Sequence, residues 1–277
     1  MAERDFVMRP LSLTEILDES FTIYRRNFGL LFGIALIPNV LAILVMTVLT
    51  AQQTSEIDVT VSEALATFAI LMLGVLLALI GAEIANGAMT SAISERILGR
   101  SATLGSSYRK IGKRIVPFAG YLFLKYLLIF VGFMFCFIPG VVFTIMTFVS
   151  VCAFVIEGQG PRESLERSWK LVSGHGMRVF GIYLLIYIVA GLITYGISFL
   201  FSLAITGSLE GAVTESVSGE FTNKNPLVIV ATGVVEGLAS AIVAPVLATA
   251  VTVTYYDLRV RKEGFDLEML AESLNRR

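Results

Sequence analysis

The residues of this sequence with the most chemical potential are ionisable groups set inside apolar runs: Glu83, Lys125 and Glu236, with Asn86 one helical turn from Glu83. A charge in hydrocarbon is expensive, so such residues pair, face the interior of a helix bundle, or line a polar pathway. Glu83 lies ten residues before the inner end of its run and Lys125 nine residues beyond the inner start of the next. At about 1.5 Å per residue both are roughly 14 Å deep, and equal depth on consecutive runs predicts a pair. Glu236, inside the outer end of the last run, can border the same cavity or hold a proton, because desolvation raises a carboxyl pKa. Two readings stay open for this set: structural polar packing, or a substrate or proton pathway. A second constellation is basic. Arg109, Lys110, Lys113 and Arg114 follow one another on an amphipathic stretch and are candidate contacts for anionic lipid headgroups.

Other chemistries lack their minimum parts. The sequence holds no Gly-rich loop with Walker spacing, no HExxH and no CxxC, the patterns that support ATP hydrolysis, zinc proteolysis and dithiol exchange. The single histidine, His175, has no cysteine, histidine or carboxylate at ligand spacing and reads as a solvated loop residue. Cys136 and Cys152 fall in apolar segments near opposite membrane faces and read as packing residues rather than a disulfide. The expectation is a protein that is not an enzyme and needs neither metal nor cofactor. A net charge of −1 and a pI near 6.0 supply no basic field for nucleic acid.

The elements that must position these residues are membrane helices. Hydrophobic residues make up 56% of the chain and charged residues 16%, with mean hydropathy +0.80, so the apolar excess must face lipid. Apolar runs at 28–50, 64–93, 116–138, 140–157, 179–206 and 226–256 predict six transmembrane helices in one membrane domain, followed by a tail at 257–277. Ile138-Pro139-Gly140 is expected to be the tight reversal that divides the third run from the fourth. The N-terminus, MAERDFVMRP, has no cleavable signal pattern. Pro38 and Pro245 predict kinks, and the spacings Gly29 to Gly33 and Gly233 to Gly237 permit close helix approach.

Orientation follows from the basic residues. All of the 21 Lys and Arg except Lys125 and Lys224 fall in segments assigned to the inner side. Lys224 shares its outer loop with Glu210, Glu215 and Glu220. The asymmetry predicts an inner, cell-membrane protein with both termini cytoplasmic.

Three inner segments are amphipathic. The first, 11–27, has Leu13, Ile16, Leu17, Phe21 and Tyr24 at helical spacing, with Ser12 and Glu15 as a capping box. The second runs through Leu104, Tyr108, Ile111 and Ile115. The third, 161–173, starts with Pro161 at the first helical position and offers the pairs Glu163–Arg167 and Glu166–Lys170 opposite Leu165, Trp169 and Val172. Aligning residue n with n+148 matches Glu15 to Glu163, Ser20 to Ser168, Phe21 to Trp169 and Gly33 to Gly181. A weaker register, n+87, matches Ser20 to Ser107 and Gly33 to Gly120. The fold class expected is all-α, six spans arranged as three parallel repeats of an inner amphipathic helix and a transmembrane hairpin.

Pro10-Leu11-Ser12-Leu13, Tyr24-Arg25-Arg26-Asn27-Phe28, Ile138-Pro139-Gly140, Glu157-Gly158, Ser168-Trp169-Lys170-Leu171-Val172 and Tyr255-Tyr256-Asp257-Leu258-Arg259 together resemble the membrane domain associated with bacterial glycerophosphoryl diester phosphodiesterases. The resemblance covers nearly the whole chain and implies architecture more than activity, because the phosphodiesterase of fused relatives is a separate soluble domain. Two functions fit. One is a membrane scaffold or accessory protein that binds membrane lipid, anionic lipid included, or an unidentified membrane partner through its inner helices. The other is a transporter or lipid-handling protein with a polar cavity at Glu83, Asn86, Lys125 and Glu236.

Overall fold

The computed structural model describes residues 9–53, 61–208, 210–212 and 226–264, and every regular element among them is a helix. In chain order these are α1 (Leu13–Arg26), α2 (Phe28–Gln53), α3 (Val61–Ile97), α4 (Leu104–Gly112), α5 (Ile115–Phe135), α6 (Phe137–Met146), α7 (Ser150–Ile156), α8 (Pro161–Val172), α9 (Gly176–Thr206) and α10 (Pro226–Glu263). Glu215, Glu220 and Lys224 of the expected outer loop, and the tail beyond Gly264, lie outside the described residues.

The short helices form for local reasons. At the start of α1 the Ser12 hydroxyl accepts from the Glu15 N–H while the Glu15 carboxylate accepts from the Ser12 N–H, which satisfies two donors that the first turn leaves open. Thr103 and Ser106 make the same reciprocal pair ahead of α4. Pro161 occupies the first turn of α8, where its missing N–H removes nothing. The faces these helices bury are mixed: Ile16, Ser20, Ile23 and Tyr24 in α1, Ser107 and Ile111 in α4, Ser164, Ser168, Leu171 and Val172 in α8. The buried serines donate to carbonyls, Ser107 to Thr103 at 2.9 Å and Ser168 to Met146 at 2.7 Å. Trp169, expected on the covered face, is 40% exposed and packs its ring 6.0 Å from that of Phe143.

The chain divides into two units. The first holds Met1–Leu31, Gly87–Tyr187 and Val246–Arg277; the second holds Phe32–Asn86 and Ile188–Pro245. Four helices, α2, α3, α9 and α10, contribute residues to both, whereas α1 and α4 to α8 belong wholly to the first. The core of the first unit is aromatic: Phe118, Tyr121 and Phe154 pack at 5.2 to 5.7 Å between ring centroids, and the Tyr256 hydroxyl is 2.8 Å from that of Ser94. Small residues let α3 and α10 bury their inner segments, with Ala88, Ala92, Thr249, Ala250 and Thr252 all closed to solvent. In the second unit a Cβ on Gly237 would meet Ile43 at 2.7 Å and one on Gly81 would meet Pro38 at 3.3 Å, so glycine and proline set the helix spacing there. Of the two small-residue spacings in the sequence, Gly29 and Gly233 have open space around them, whereas Gly237 is in contact with Ile43.

Among the described residues, five helical stretches are long and apolar enough to cross a membrane: Phe68–Ile97, Ile115–Phe135, Phe137–Ile156, Gly176–Thr206 and Val230–Glu263. The first expected span falls on α2, of which Phe28–Val40 is a shorter apolar helix by the same measure. Large apolar side chains such as Leu79, Leu192 and Leu200 are more than 60% exposed, the pattern of a lipid-facing surface.

The reversal between the third and fourth runs is not at Ile138–Gly140. It is at Cys136, whose backbone is extended (φ −171°, ψ 158°), and Ile138, Pro139 and Gly140 already belong to α6. Pro139 falls in a first turn, which needs no N–H from it. Gly140 is there for another reason: its Cα lies 2.9 Å from where a Cβ on Gly132 would be, so two glycines bring α5 and α6 together. The expected span 140–157 is interrupted at Thr147–Val149, between α6 and α7. At the other end, α10 continues to Glu263 through the first seven residues, 257–263, of the expected tail.

Candidate functional site

Asp257, near the end of α10, is an acidic residue among bases, and its side chain is fully buried. Arg178 Nη2 donates to one of its oxygens at 3.2 Å, Arg261 Nε reaches both at 3.0 Å, and the Leu11 N–H donates to it at 2.8 Å. Both guanidinium groups also donate to the Leu11 carbonyl. The N-terminal segment before α1 is thereby tied to the ends of α9 and α10. Two arginines share one carboxylate, so the cluster keeps an excess positive charge.

Arg178 also lines a cavity of about 610 Å³, a volume within the ordinary range for a small-molecule site. One wall is Val141, Val142, Ile145 and Met146 of α6, the other is the Gly174–Met177 turn with Phe180 of α9. Its lining is overwhelmingly apolar, with the polar contribution at His175 and Arg178. His175 immediately precedes α9, its carbonyl accepting from the Val179 N–H at 3.0 Å. It is half-buried rather than solvated, and its Nδ1, like Nε of Arg178, is buried with no hydrogen-bond partner. The first N–H groups of α9 have no acceptor within the helix, so the turn presents donors and positive charge at one end of an apolar groove.

A second polar network joins α8 to the end of α10. Glu157 accepts from Arg167 Nε, the Tyr255 hydroxyl and Gln159 Nε2. Arg167 also binds Glu263, which accepts from Arg259 as well. The expected pair Glu163–Arg167 is replaced by this network, and the i, i+4 pair seen in α8 is Arg162–Glu166 at 2.7 Å. Burial raises the phenol pKa of Tyr108 on α4 to about 12.

The expected site residues are divided between the two units. Glu83 and Asn86, half-buried on α3, and Glu236, exposed on α10, belong to the second unit. Lys125 belongs to the first, half-buried on α5 with its ammonium 5.2 Å from the Tyr126 ring centre. The basic quartet divides. Arg109 and Lys113 are exposed, Lys110 lies 3.5 Å from Glu95, and Arg114 turns inward, donating to the carbonyls of Phe154 at 3.2 Å and Gln159 at 2.7 Å and covering the Phe154 ring at 4.5 Å. Arg178 and Arg261 were not singled out as site residues by sequence reasoning, because inner-side bases are accounted for by orientation alone; Arg167 was expected to pair within its own helix, and Glu157 and Asp257 entered only through the family resemblance. The available signal was Asp257, one carboxylate between an apolar run and Arg259, Arg261 and Lys262.

A family model described as "Domain of unknown function (DUF7847)" matches residues 21–258. The chain belongs to that family. The match begins within α1 and ends one residue after Asp257, so it takes in the groove, Arg178 and most of the Glu157 network. No curated protein and no solved structure matches the chain.

Proposed function

We propose that this is a non-catalytic membrane protein, a scaffold or accessory protein of the cell membrane, that binds anionic phospholipid at the inner face. Both termini are cytoplasmic in this reading, as the distribution of bases favours. The observation that carries it is the groove between α6 and α9: an apolar channel whose one polar end holds His175, Arg178 and the surplus charge of two arginines on Asp257. Acyl chains match Val141, Val142, Ile145 and Met146, and a phosphate matches the basic turn. The wider resemblance to membrane domains associated with glycerophosphoryl diester phosphodiesterases supports the architecture and leaves the phosphodiesterase chemistry to other domains.

Native mass spectrometry of protein extracted from membranes containing phosphatidylglycerol tests the reading. The wild type should retain one anionic phospholipid that Val142→Trp, which fills the groove from its exposed rim, loses without a fall in melting temperature. Equal retention by both proteins overturns it.

A further inference from the structure

The segment from α5 to α7 has the length and apolarity of two spans, yet its contacts place it along one face. In the α5–α6 hairpin Gly132 meets Gly140, and the Tyr121 hydroxyl lies 2.8 Å from that of Ser150. Met146 therefore stands level with about Tyr126, roughly 9 Å along α5 from Gly120 at about 1.5 Å per residue. Helix α8 covers the same stretch: Pro161 lies 3.6 Å from where a Cβ on Gly120 would be, and Ser168 bonds to the Met146 carbonyl. Seven residues of α8 advance roughly 10 Å, so the two helices run nearly side by side. Yet α8 carries Arg162, Glu163, Glu166, Arg167 and Lys170, with Arg162 and Glu166 at least half exposed, and a helix so charged lies in the interface rather than across hydrocarbon.

Its neighbours fix which face that is. Arg167 binds Glu263, and Lys262 donates to the Lys170 carbonyl, at the charged end of α10. Arg167 and Ser168 are consecutive, and they hold Glu157 and Met146 respectively. From Ser150, beside Tyr121, the chain runs on to Phe154 and Gln159, whose carbonyls accept from Arg114 at the start of α5. Along α10 it passes from Val251, where Cys152 Sγ is 4.0 Å from the carbonyl, to Tyr255 at Glu157, toward the same charged end that α8 holds.

We infer that α5 and α6 form a re-entrant hairpin lying in the inner leaflet, its Phe133–Ile138 tip among the acyl chains, and that neither helix crosses the membrane. Met134, Phe135, Phe137 and Ile138 at the tip are 69% to 82% exposed, a surface suited to hydrocarbon. The hairpin and α8 belong to the same unit, and only α2, α3, α9 and α10 pass between units. Four crossings leave 98–175 on the inner side as one continuous segment, so the base asymmetry is kept. The occupant of the tip is therefore lipid of one leaflet, and the hairpin is a wedge in that leaflet.

The chain supplies its own probe, because Cys136 is exposed at the tip while Cys152 is buried. In intact cells an impermeant maleimide should leave Cys136 unmodified, whereas the chain unfolded in detergent should react, because the thiolate that maleimide needs does not form among acyl chains. Ser218→Cys in a Cys136→Ser background, at a position outside the described residues, marks the outer face, and Ser101→Cys marks the inner. A spin label on Cys136 should relax several-fold more with an impermeant nickel chelate on the inner face than on the outer, and strongly with oxygen. Modification by the impermeant reagent, or stronger relaxation from the outer face, restores a crossing hairpin and overturns the inference. A label that responds to inner chelate but not to oxygen sits in water, and one that responds to neither is covered by protein; both also overturn it.

Discussion

Arg167 holds Glu157 with its Nε 2.9 Å from both carboxylate oxygens, while its terminal nitrogens hold Glu263 across 96 residues of sequence. The hydrogen bonds to Glu263, and then those to Glu157, raise the guanidinium pKa, so the cation is fixed at every pH the protein meets. Both partners are largely buried, at 21% and 16% exposed, and removing one strands the other. Arg167→Met should lower stability by about 3 kcal/mol, and Glu157→Gln by less, because Gln still accepts from Tyr255. Thermal unfolding in detergent of both single variants and the double variant checks this. Additive losses would show that the two residues act separately.

Asp257→Asn should be more damaging at the N-terminus than anywhere else. The amide keeps one acceptor for the Leu11 N–H but leaves Arg178 and Arg261 side by side without a counter-charge. A loss of about 3–5 kcal/mol is expected. Limited proteolysis should then cut near residues 9–12, which the wild type protects. Wild-type resistance at that segment in the variant would mean the carboxylate does not hold the strap.

What the sequence made legible follows the range of each interaction. The Ser12–Glu15 box and Pro161 act within one turn, and α1 and α8 begin where they indicate. Helical periodicity marked the three amphipathic helices, but not their inward faces, which carry Ser20, Ser107 and Ser168 because a small hydroxyl can approach a backbone and bond to it. The partners of Arg167 were illegible, since Glu263 is brought to it by tertiary packing and not by spacing along α8. The reversal at Cys136 was illegible for a related reason: Pro139 is the local punctuation, yet the turn is set by the Gly132–Gly140 approach. Apolar length located the runs, and Ile115–Phe135 and Phe137–Ile156 are both long and apolar enough to cross a membrane.

That glycine contact predicts an asymmetry among alanine substitutions. A Cβ at Gly132 would stand 2.5 Å from Phe143 and 2.9 Å from the Gly140 Cα, and the second of these is backbone. Gly132→Ala should therefore cost about 1–3 kcal/mol through displacement of the hairpin. Gly181→Ala has nothing within 4 Å and sits inside α9, so it should be neutral or gain up to about 1 kcal/mol. Melting temperatures of the two variants decide; equal shifts would mean the hairpin tolerates the added carbon.

The first turn of α1 should respond to acid. The Ser12 N–H, the Arg9 guanidinium and the Ser12 hydroxyl lower the Glu15 carboxyl from 4.5 to about 2. A carboxyl lowered in the folded state stabilises fully above its ordinary value, and that contribution fades as pH falls from 4.5 towards 2. Glu15→Gln should be less stable than wild type at pH 6, with the gap closing over that window. A gap that stays constant down to pH 2 would show that charge is not what the box uses.

The basic residues after α4 should separate into two functions when mutated. Arg109 and Lys113 are exposed and Lys110 is shared with Glu95, so their charges face outward, whereas Arg114 is bound to two carbonyls and a ring inside the first unit. Each base near an anionic surface contributes about 1 kcal/mol at most, and salt screens it. Arg109→Gln, Lys110→Gln and Lys113→Gln together should weaken association with phosphatidylglycerol nanodiscs at low salt, much less so at high salt, and leave thermal stability close to wild type. Arg114→Gln should do the reverse. It leaves the Phe154 and Gln159 carbonyls without their charged donor, a loss of about 1.5–3 kcal/mol, with little change in lipid preference. If Arg114→Gln alone reproduced the lipid effect of the triple variant, its guanidinium would have to leave those carbonyls in the membrane, and the inward assignment of Arg114 would fail.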